Sequence, residues 1–129
     1  MVPRPVAVGI CLCDHVIVEK GTEKVSLIGL FERFRLVSFP AVAAPFCIVA
    51  RLTGGEGSGT IQLEMQDLET LALVENWAQV VQFSDRLAHV NVLFRLNHCT
   101  FPRPGHYQAT LLADGEWIAQ QRFEVRLRQ

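Results

Sequence analysis

Apolar and polar residues alternate with a period of two along most of this chain. In one segment, Ile61, Leu63 and Met65 fall on one side and only polar residues fall on the other. A period of two is that of a β-strand with one buried face. The same alternation predicts strands at 46–53, 61–66, 90–97, 107–112 and 122–128.

Two further segments are apolar on both sides. The sequence therefore predicts two strands that are buried on both faces. They are residues 8–18 and residues 25–37, and the second is apolar on both sides as far as Phe31. Gly29 lies in the middle of the second segment and predicts a bulge or a close backbone contact. The pattern is least regular over 68–85, where it predicts either a strand near 77–83 or a short helical turn before it.

Turn residues separate the predicted strands. Asp114 and Gly115 form the strongest turn signal, because Asp-Gly favours the positive φ angles of a type I′ hairpin. The stretch Pro-Arg-Pro-Gly-His-Tyr at 102–107 is typical of the start of the penultimate strand of immunoglobulin-like domains. In those domains the tyrosine, here Tyr107 after Gly105, packs in the core and bonds to a nearby loop.

Seven or eight short strands and no long amphipathic helix predict a single all-β domain over residues 1–129. The favoured fold class is an antiparallel β-sandwich of the immunoglobulin-like type, and the alternative is a small β-barrel. No second domain is expected. The positions expected to be structural are Asp14, Gly29, Gly105, Tyr107 and Gly115.

Composition narrows the class of protein. Of the 129 residues, 50% are hydrophobic and the formal net charge is −1, which excludes a disordered chain. The absence of a basic surplus argues against a nucleic-acid partner. No segment approaches the roughly 18–20 apolar residues of a membrane span. We therefore expect a cytoplasmic protein that binds neither nucleic acid nor membrane.

Several sequence blocks, taken together, resemble a known family. They occur in the order 10–14, 25–31, Phe39-Pro40, 102–107 and 114–118. In this order they resemble a family of small bacterial proteins of about this length, whose function is uncharacterised. The resemblance implies a cytoplasmic bacterial β-sandwich, and it carries over no catalytic, cofactor-binding or other binding residue.

Cys11, Cys13 and His15 alternate along one predicted strand and so point to one face. Thiolates and imidazole are natural zinc ligands. Same-face neighbours on a strand lie about 6.5–7 Å apart, whereas two sulfurs on one zinc ion approach to under about 4 Å. We therefore interpret this face as small side chains of a central strand and expect no metal and no cofactor. If these three residues did bind a zinc ion, its fourth ligand would have to come from Cys47, His98 or Cys99.

All four cysteines of the chain lie in or at the end of strand-like runs. We expect free, mostly buried thiols that act as small hydrophobic side chains. The cysteines are Cys11, Cys13, Cys47 and Cys99.

Asp14 interrupts an apolar face between Leu12 and Val16. An unpaired buried carboxylate is costly, so Asp14 either lies where the strand emerges or has a partner. Such a carboxylate is expected to hold a loop or a neighbouring strand in place; the alternative role is an acid or base in a cleft. The candidate partners are amides of the next loop, Tyr107, Arg33 and Arg35.

Three arginines share a strand face with Glu124 near the end of the sequence. They are consistent with a nucleic-acid contact, or with an exposed face or an edge strand whose charges block sheet-to-sheet pairing. The net charge and the lack of interleaved aromatic residues favour the second interpretation. The arginines are Arg122, Arg126 and Arg128.

Two hypotheses for function follow from these patterns. The first is a non-enzymatic binding or assembly module, which engages a protein partner or a second copy of itself. The alternative is a metal-dependent or thiol-dependent enzyme that uses Cys11, Cys13, His15 and Asp14. The enzyme hypothesis predicts bound metal or one unusually reactive thiol.

Overall fold

The computed structural model describes residues 4–128, and within that range every regular element is a β-strand. No helix in this range is long and apolar enough to cross a membrane. The strands are β1 Val6–Val18, β2 Val25–Phe31, β3 Arg33–Leu36, β4 Ala41–Val42, β5 Phe46–Thr53, β6 Gly57–Asp67, β7 Leu73–Phe83, β8 His89–Leu96, β9 Thr100–Phe101, β10 Gly105–Ala113 and β11 Glu116–Leu127.

Two main sheets face each other across the core. The first sheet has the order β2-β1-β5-β8, and the second has the order β3-β11-β10-β6-β7. The short strands β4 and β9 pair separately. The predicted immunoglobulin-like sandwich is confirmed, and β3 and β11 form the one parallel pair within residues 4–128.

The strand count of seven or eight is too low, because the predicted strand at 25–37 is in fact two strands. Phe31 pairs with Leu12 in the first sheet, whereas Arg33 pairs with Glu124 in the second sheet. The chain therefore crosses between the sheets at Glu32. In addition, β4 and β9 have two residues each, which is too short to produce a periodic pattern.

An aromatic cluster joins the two sheets inside the core. The ring of Phe34, on β3, lies 4.8 Å from that of Phe46 on β5 and 5.4 Å from that of Phe101. The ring of Phe101 in turn lies 5.0 Å from that of Tyr107. Rings at these distances and at steep angles attract one another beyond the area they bury, so the cluster fastens the short strand β3 to the core.

The structure contains the predicted turn at Asp114-Gly115 and a strand in the irregular segment 68–85. Asp114 and Gly115 have φ angles of 48° and 86°, as the predicted type I′ turn requires. In the irregular segment the strand prediction is right, although β7 already begins at Leu73.

The β1–β2 hairpin folds over the outer side of the first sheet, away from the core. Strict alternation would put Val16 and Leu27 on the same side as Leu12, but they pack against the Cys13–Cys47–Val49 cluster instead. We call residues 14–29 the hairpin arm. It changes direction at Asp14 and Gly29, and Gly29 has a φ of 74°.

The arm also explains why the sequence pattern predicts burial on both faces for more residues of β1 and β2 than the structure shows. Within β1, full burial on both sides of the strand is limited to Leu12 and Cys13, and Ile17 is 51% exposed. On β2, Ile28 and Leu30 are 45% and 65% exposed. Apolar residues on both sides of the strand therefore reflect an arm that turns over, rather than a central strand enclosed throughout.

Gly29→Ala is expected to destabilise the protein. A methyl group at Gly29 would overlap the carboxylate of Asp14, and the positive φ alone costs a residue with a Cβ about 1–2 kcal/mol. The free energy of unfolding from urea denaturation measures the loss. Adding Asp14→Ala should recover only the steric part, because the backbone strain remains.

The matched control for this change is Gly9→Ala. No atom lies within 4 Å of a Cβ at that position, and its φ lies outside the left-handed region. This control should leave the free energy of unfolding nearly unchanged. A loss at Gly29 no larger than the loss at Gly9 would show that the arm has no specific turning point there.

Candidate functional site

The structure brings three of the cysteines together but does not form a metal centre. Cys11 and Cys13 share the outer face of the first sheet, where Cys13 lies directly opposite Cys47 on β5. His15 is exposed in the hairpin arm, and Cys99 lies in the core between the sheets. Among residues 4–128, no group of three or more His, Cys, Asp or Glu side chains could hold a metal ion.

The thiols of Cys11, Cys13 and Cys99 are not activated as nucleophiles. Burial raises the pKa of the Cys13 thiol to about 11, and the neighbouring thiols and the Asp14 carboxylate add to the rise. Burial also raises the pKa of Cys11, and it raises that of Cys99 to about 12. Because the thiolate is the reactive form, these residues are protonated and unreactive near neutral pH.

Asp14 is exposed, so the first of its two alternatives, a position where the strand emerges, is correct. Its carboxylate lies over Gly29 at the turning point of the arm. The side chains expected as partners are engaged elsewhere: Tyr107 bonds to Arg103, and Arg33 pairs with Glu124. The change of direction at Gly29 takes Asp14 out of the buried face, and its expected role of holding a loop or a neighbouring strand in place stays a prediction.

The buried carboxylate of the structure is Asp67, at the end of β6, which is 2% exposed. Its Oδ2 accepts a hydrogen bond from Arg103 Nε at 2.9 Å, and its Oδ1 accepts one from Arg103 Nη2 at 2.7 Å. The backbone N–H of Glu69 donates to Oδ1 at 2.9 Å. Sequence reasoning missed this residue, although it continues the inward alternation of Ile61, Leu63 and Met65.

Tyr107 completes the same network. Its ring is fully buried, and its hydroxyl donates to the carbonyl oxygen of Arg103 at 2.6 Å, which confirms the predicted role in core and loop. Arg103 also pairs with the carboxylate of Glu69. Gly105, just before Tyr107, has a φ of 146°, which disfavours any other residue. The network therefore links the β6–β7 turn to the segment that leads into β10.

This network is built for stability rather than for proton transfer. Burial alone would raise the pKa of Asp67, but the backbone amide of Glu69 and the guanidinium of Arg103 hold it below its ordinary value. Both carboxylate oxygens are already occupied. The cavity of about 460 Å³ beside the network is thus lined by a carboxylate and a guanidinium that are already paired with each other.

Five arginines lie on the outer side of the second sheet, on β3 and β11 and just beyond the end of β11. We call this surface the arginine face. Arg33 lies beside Glu124 and Arg35 lies beside Arg126 in the parallel pairing. Because β11 has β3 on one side and β10 on the other, the interpretation of β11 as an edge strand is wrong. The arginine face consists of Arg33, Arg35, Arg122, Arg126 and Arg128.

Glu124 is the one carboxylate in the middle of this face. It accepts a hydrogen bond from Arg33 Nε at 3.0 Å and pairs with Arg126 Nε at 2.7 Å. A cleft of about 420 Å³ opens between Arg35, Arg126 and Arg128. One carboxylate thus holds two guanidinium groups in place, while the face keeps a clear excess of positive charge.

Comparison with known proteins identifies a family and a fold. Residues 9–126 match a family described as a family of unknown function, DUF6941. No curated protein matches the chain. Among solved structures, a β-glucosidase from Listeria innocua in complex with glucose is similar, with 13% identity and a TM-score of 0.50, over 96% of this chain and 16% of that one.

Two further solved structures are similar to a lower degree. An immunoglobulin-like protein from Pseudomonas aeruginosa has 14% identity and a TM-score of 0.48, over 95% of this chain and 97% of that one. The alkylpurine DNA glycosylase AlkC from Pseudomonas fluorescens, bound to DNA, has 12% identity and a TM-score of 0.48. This chain covers only 30% of the glycosylase. At such identities the comparison with solved structures concerns the fold and not the function.

Alkylation of the buried cysteines should be slow, and no cysteine should react unusually fast. Because burial raises the pKa of Cys13 and Cys99, iodoacetamide at pH 7 should modify both far more slowly than a free cysteine, and half-buried Cys11 should react first. Mass spectrometry of the modified peptides gives the four rates, and the urea-unfolded protein is the control. A thiol that reacts faster in the folded protein than in urea would restore the thiol-enzyme hypothesis.

The Asp67→Asn variant should lose less of its free energy of unfolding than the wild type as the pH falls below about 4. The pKa of Asp67 is lower in the folded protein than its reference value of 3.8. The stability from its charge is therefore complete above about pH 4 and is lost as pH falls through the folded pKa. Urea denaturation between pH 2 and pH 7 should show this loss in the wild type and a flatter slope in the variant.

Glu69→Gln is the matched control, because Glu69 pairs with the same arginine but its side chain is 71% exposed. An exposed ion pair contributes little, so this variant should keep the wild-type pH dependence. If Asp67→Asn and the wild type had the same slope, the Asp67–Arg103 pair would not be the charge that matters for acid stability.

Proposed function

Because the chain belongs to the DUF6941 family, which has no assigned function, we propose a function from the structure: a non-enzymatic binding module of the bacterial cytoplasm. In this proposal the arginine face docks on an acidic surface of a protein partner. The observation that carries it is the concentration of five of the chain's ten arginines on one face of the second sheet.

The chemistry of arginine favours carboxylates as the groups that this face recognises. A guanidinium is planar and presents paired N–H donors that match a carboxylate. Arginine is also enriched in protein–protein interfaces. Glu124 holds Arg33 and Arg126 in an ordered arrangement before any partner arrives, so less side-chain entropy is lost on binding.

A protein partner fits this face better than a nucleic acid does. The aromatic residues that alternate with these arginines, Phe34 and Phe123, pack in the core and are not placed to stack on bases. An acidic protein patch requires only local charge complementarity.

The alternative function, a metal-dependent or thiol-dependent enzyme, has less support. The thiol pKa values are raised rather than lowered, and Asp67 is fully engaged with Arg103 and Glu69. The cytoplasmic location is supported by the four cysteines, which are all free thiols.

Reversing charges on the arginine face should remove binding to an acidic polypeptide. Labelled poly-L-glutamate is the probe, and fluorescence anisotropy at low salt measures its affinity. The Arg122→Glu/Arg126→Glu variant should bind at least about tenfold more weakly than the wild type, because close charge pairs supply the attraction. Light scattering of the protein alone shows whether a second copy occupies the face instead.

The matched control is Arg86→Glu/Arg95→Glu, which changes the net charge by the same amount at two exposed residues away from the face. It should bind within about twofold of the wild type, since net charge alone is not the cause. Equal losses in both variants, or no binding by the wild type, would overturn the proposal. Tighter binding to a single-stranded oligonucleotide or to anionic vesicles would reassign the face to those partners.

A further inference from the structure

The hairpin arm and the outer side of the first sheet enclose a cleft that is separate from the arginine face. Its volume is about 320 Å³, and we call it the arm cleft. Its walls are mostly apolar side chains of β1, β2 and β5, and its polar residues are Arg51 on β5 and Asn91 on β8. The residues that the argument uses are Ile10, Cys11, Val25, Leu27, Val49 and Arg51.

The arm determines the shape of this cleft. Leu27 packs on the Cys13–Cys47–Val49 cluster and also lines the cleft together with Val25. Cys11, at the edge of the same cluster, stays half-buried and lines the cleft from β1. The result is an apolar surface that neighbouring residues cover only in part.

Arg51 gives the cleft a charged side. Its Nη1 donates to Asn91 Oδ1 at 3.2 Å, which fixes the guanidinium across the β5–β8 pair. No carboxylate of residues 4–128 lies within 4.0 Å of this guanidinium. A guanidinium has five N–H donors, so Arg51 retains both its charge and donors for an anion.

We propose that the arm cleft binds a small amphipathic carboxylic acid. The apolar part lies on Cys11, Leu27 and Val49, and the carboxylate pairs with Arg51. A volume of about 320 Å³ is near the lower end of the roughly 300–1,000 Å³ of small-molecule sites. The cleft therefore suits a medium-chain or single-ring acid rather than a long-chain lipid.

The larger cavity beside Asp67 is a weaker candidate for an acid, because the carboxylates of Asp67 and Glu75 line it together with Arg103. Arg103 is already paired with Asp67 and Glu69. The arm cleft, by contrast, combines apolar walls with an arginine that has no acidic partner among the described residues. The inference also stands apart from the proposed protein partner, since the two surfaces belong to different sheets.

Decanoate is the probe, and isothermal titration calorimetry measures its affinity for the full chain. Arg51→Gln should weaken decanoate binding about tenfold or more, because it removes the charged partner of the carboxylate. Arg95→Gln is the matched control: Arg95 is exposed on β8 opposite Cys47 and does not line the cleft. Coincident urea denaturation curves check that both variants fold.

The thiol of Cys11 supplies a second readout inside the cleft. Bound decanoate should slow alkylation of Cys11 in the wild type and leave the rate at Cys99, which lies in the core, unchanged. Decanol, which has no charge, should bind the wild type and Arg51→Gln equally. The proposal is overturned if decanoate fails to bind, if Arg51→Gln has no effect, or if decanoate does not protect Cys11.

Discussion

The carboxylate of Asp67 is removed from water, and its charge constrains everything packed around it. A buried carboxylate is tolerated only when hydrogen bonds replace those of water. Here the Glu69 backbone amide and the Arg103 guanidinium supply them, and Tyr107 holds the carbonyl of the same arginine. The β6–β7 turn and the approach to β10 are therefore fixed relative to each other. Since β10 lies between β6 and β11, this corner also fixes the strands on which the arginine face is built.

The polar network around Asp67 fixes one corner of the second sheet, and the two proposed binding surfaces lie elsewhere on the sandwich. The second sheet presents guanidinium groups ordered by Glu124. The first sheet presents an apolar cleft with Arg51 at its border. Burial raises the pKa of the Cys13 thiol on the outer side of the first sheet and that of the Cys99 thiol in the core. Specific charges on a sandwich can distinguish ligands by local charge complementarity.

Much of the fold is readable from local patterns, and most of the site is not. Alternation identifies the strands, Asp114-Gly115 identifies a hairpin, and the residues before Tyr107 identify its corner. Asp67 was also detectable, because it occupies an inward position after Met65. Its partner Arg103 was not, since the pairing joins residues 36 positions apart. Arg33 likewise reaches Glu124 across 91 positions through a parallel pairing that no local pattern signals. The arm was mispredicted because a positive φ at Gly29 breaks the alternation on which the prediction relied.

The crossing at Glu32 has a mechanical consequence. Phe31 belongs to the ladder of the first sheet, Arg33 belongs to that of the second, and the carbonyl of Glu32 accepts a hydrogen bond from the backbone N–H of Glu124. One residue therefore ties the two sheets together along this side, whereas residues 84–88 separate β7 from β8 on the opposite side. Tension along the chain at β2 and β3 passes directly from one sheet to the other, without a loop to absorb it. The arginine face, which is built on β3 and β11, lies along this directly joined side of the sandwich.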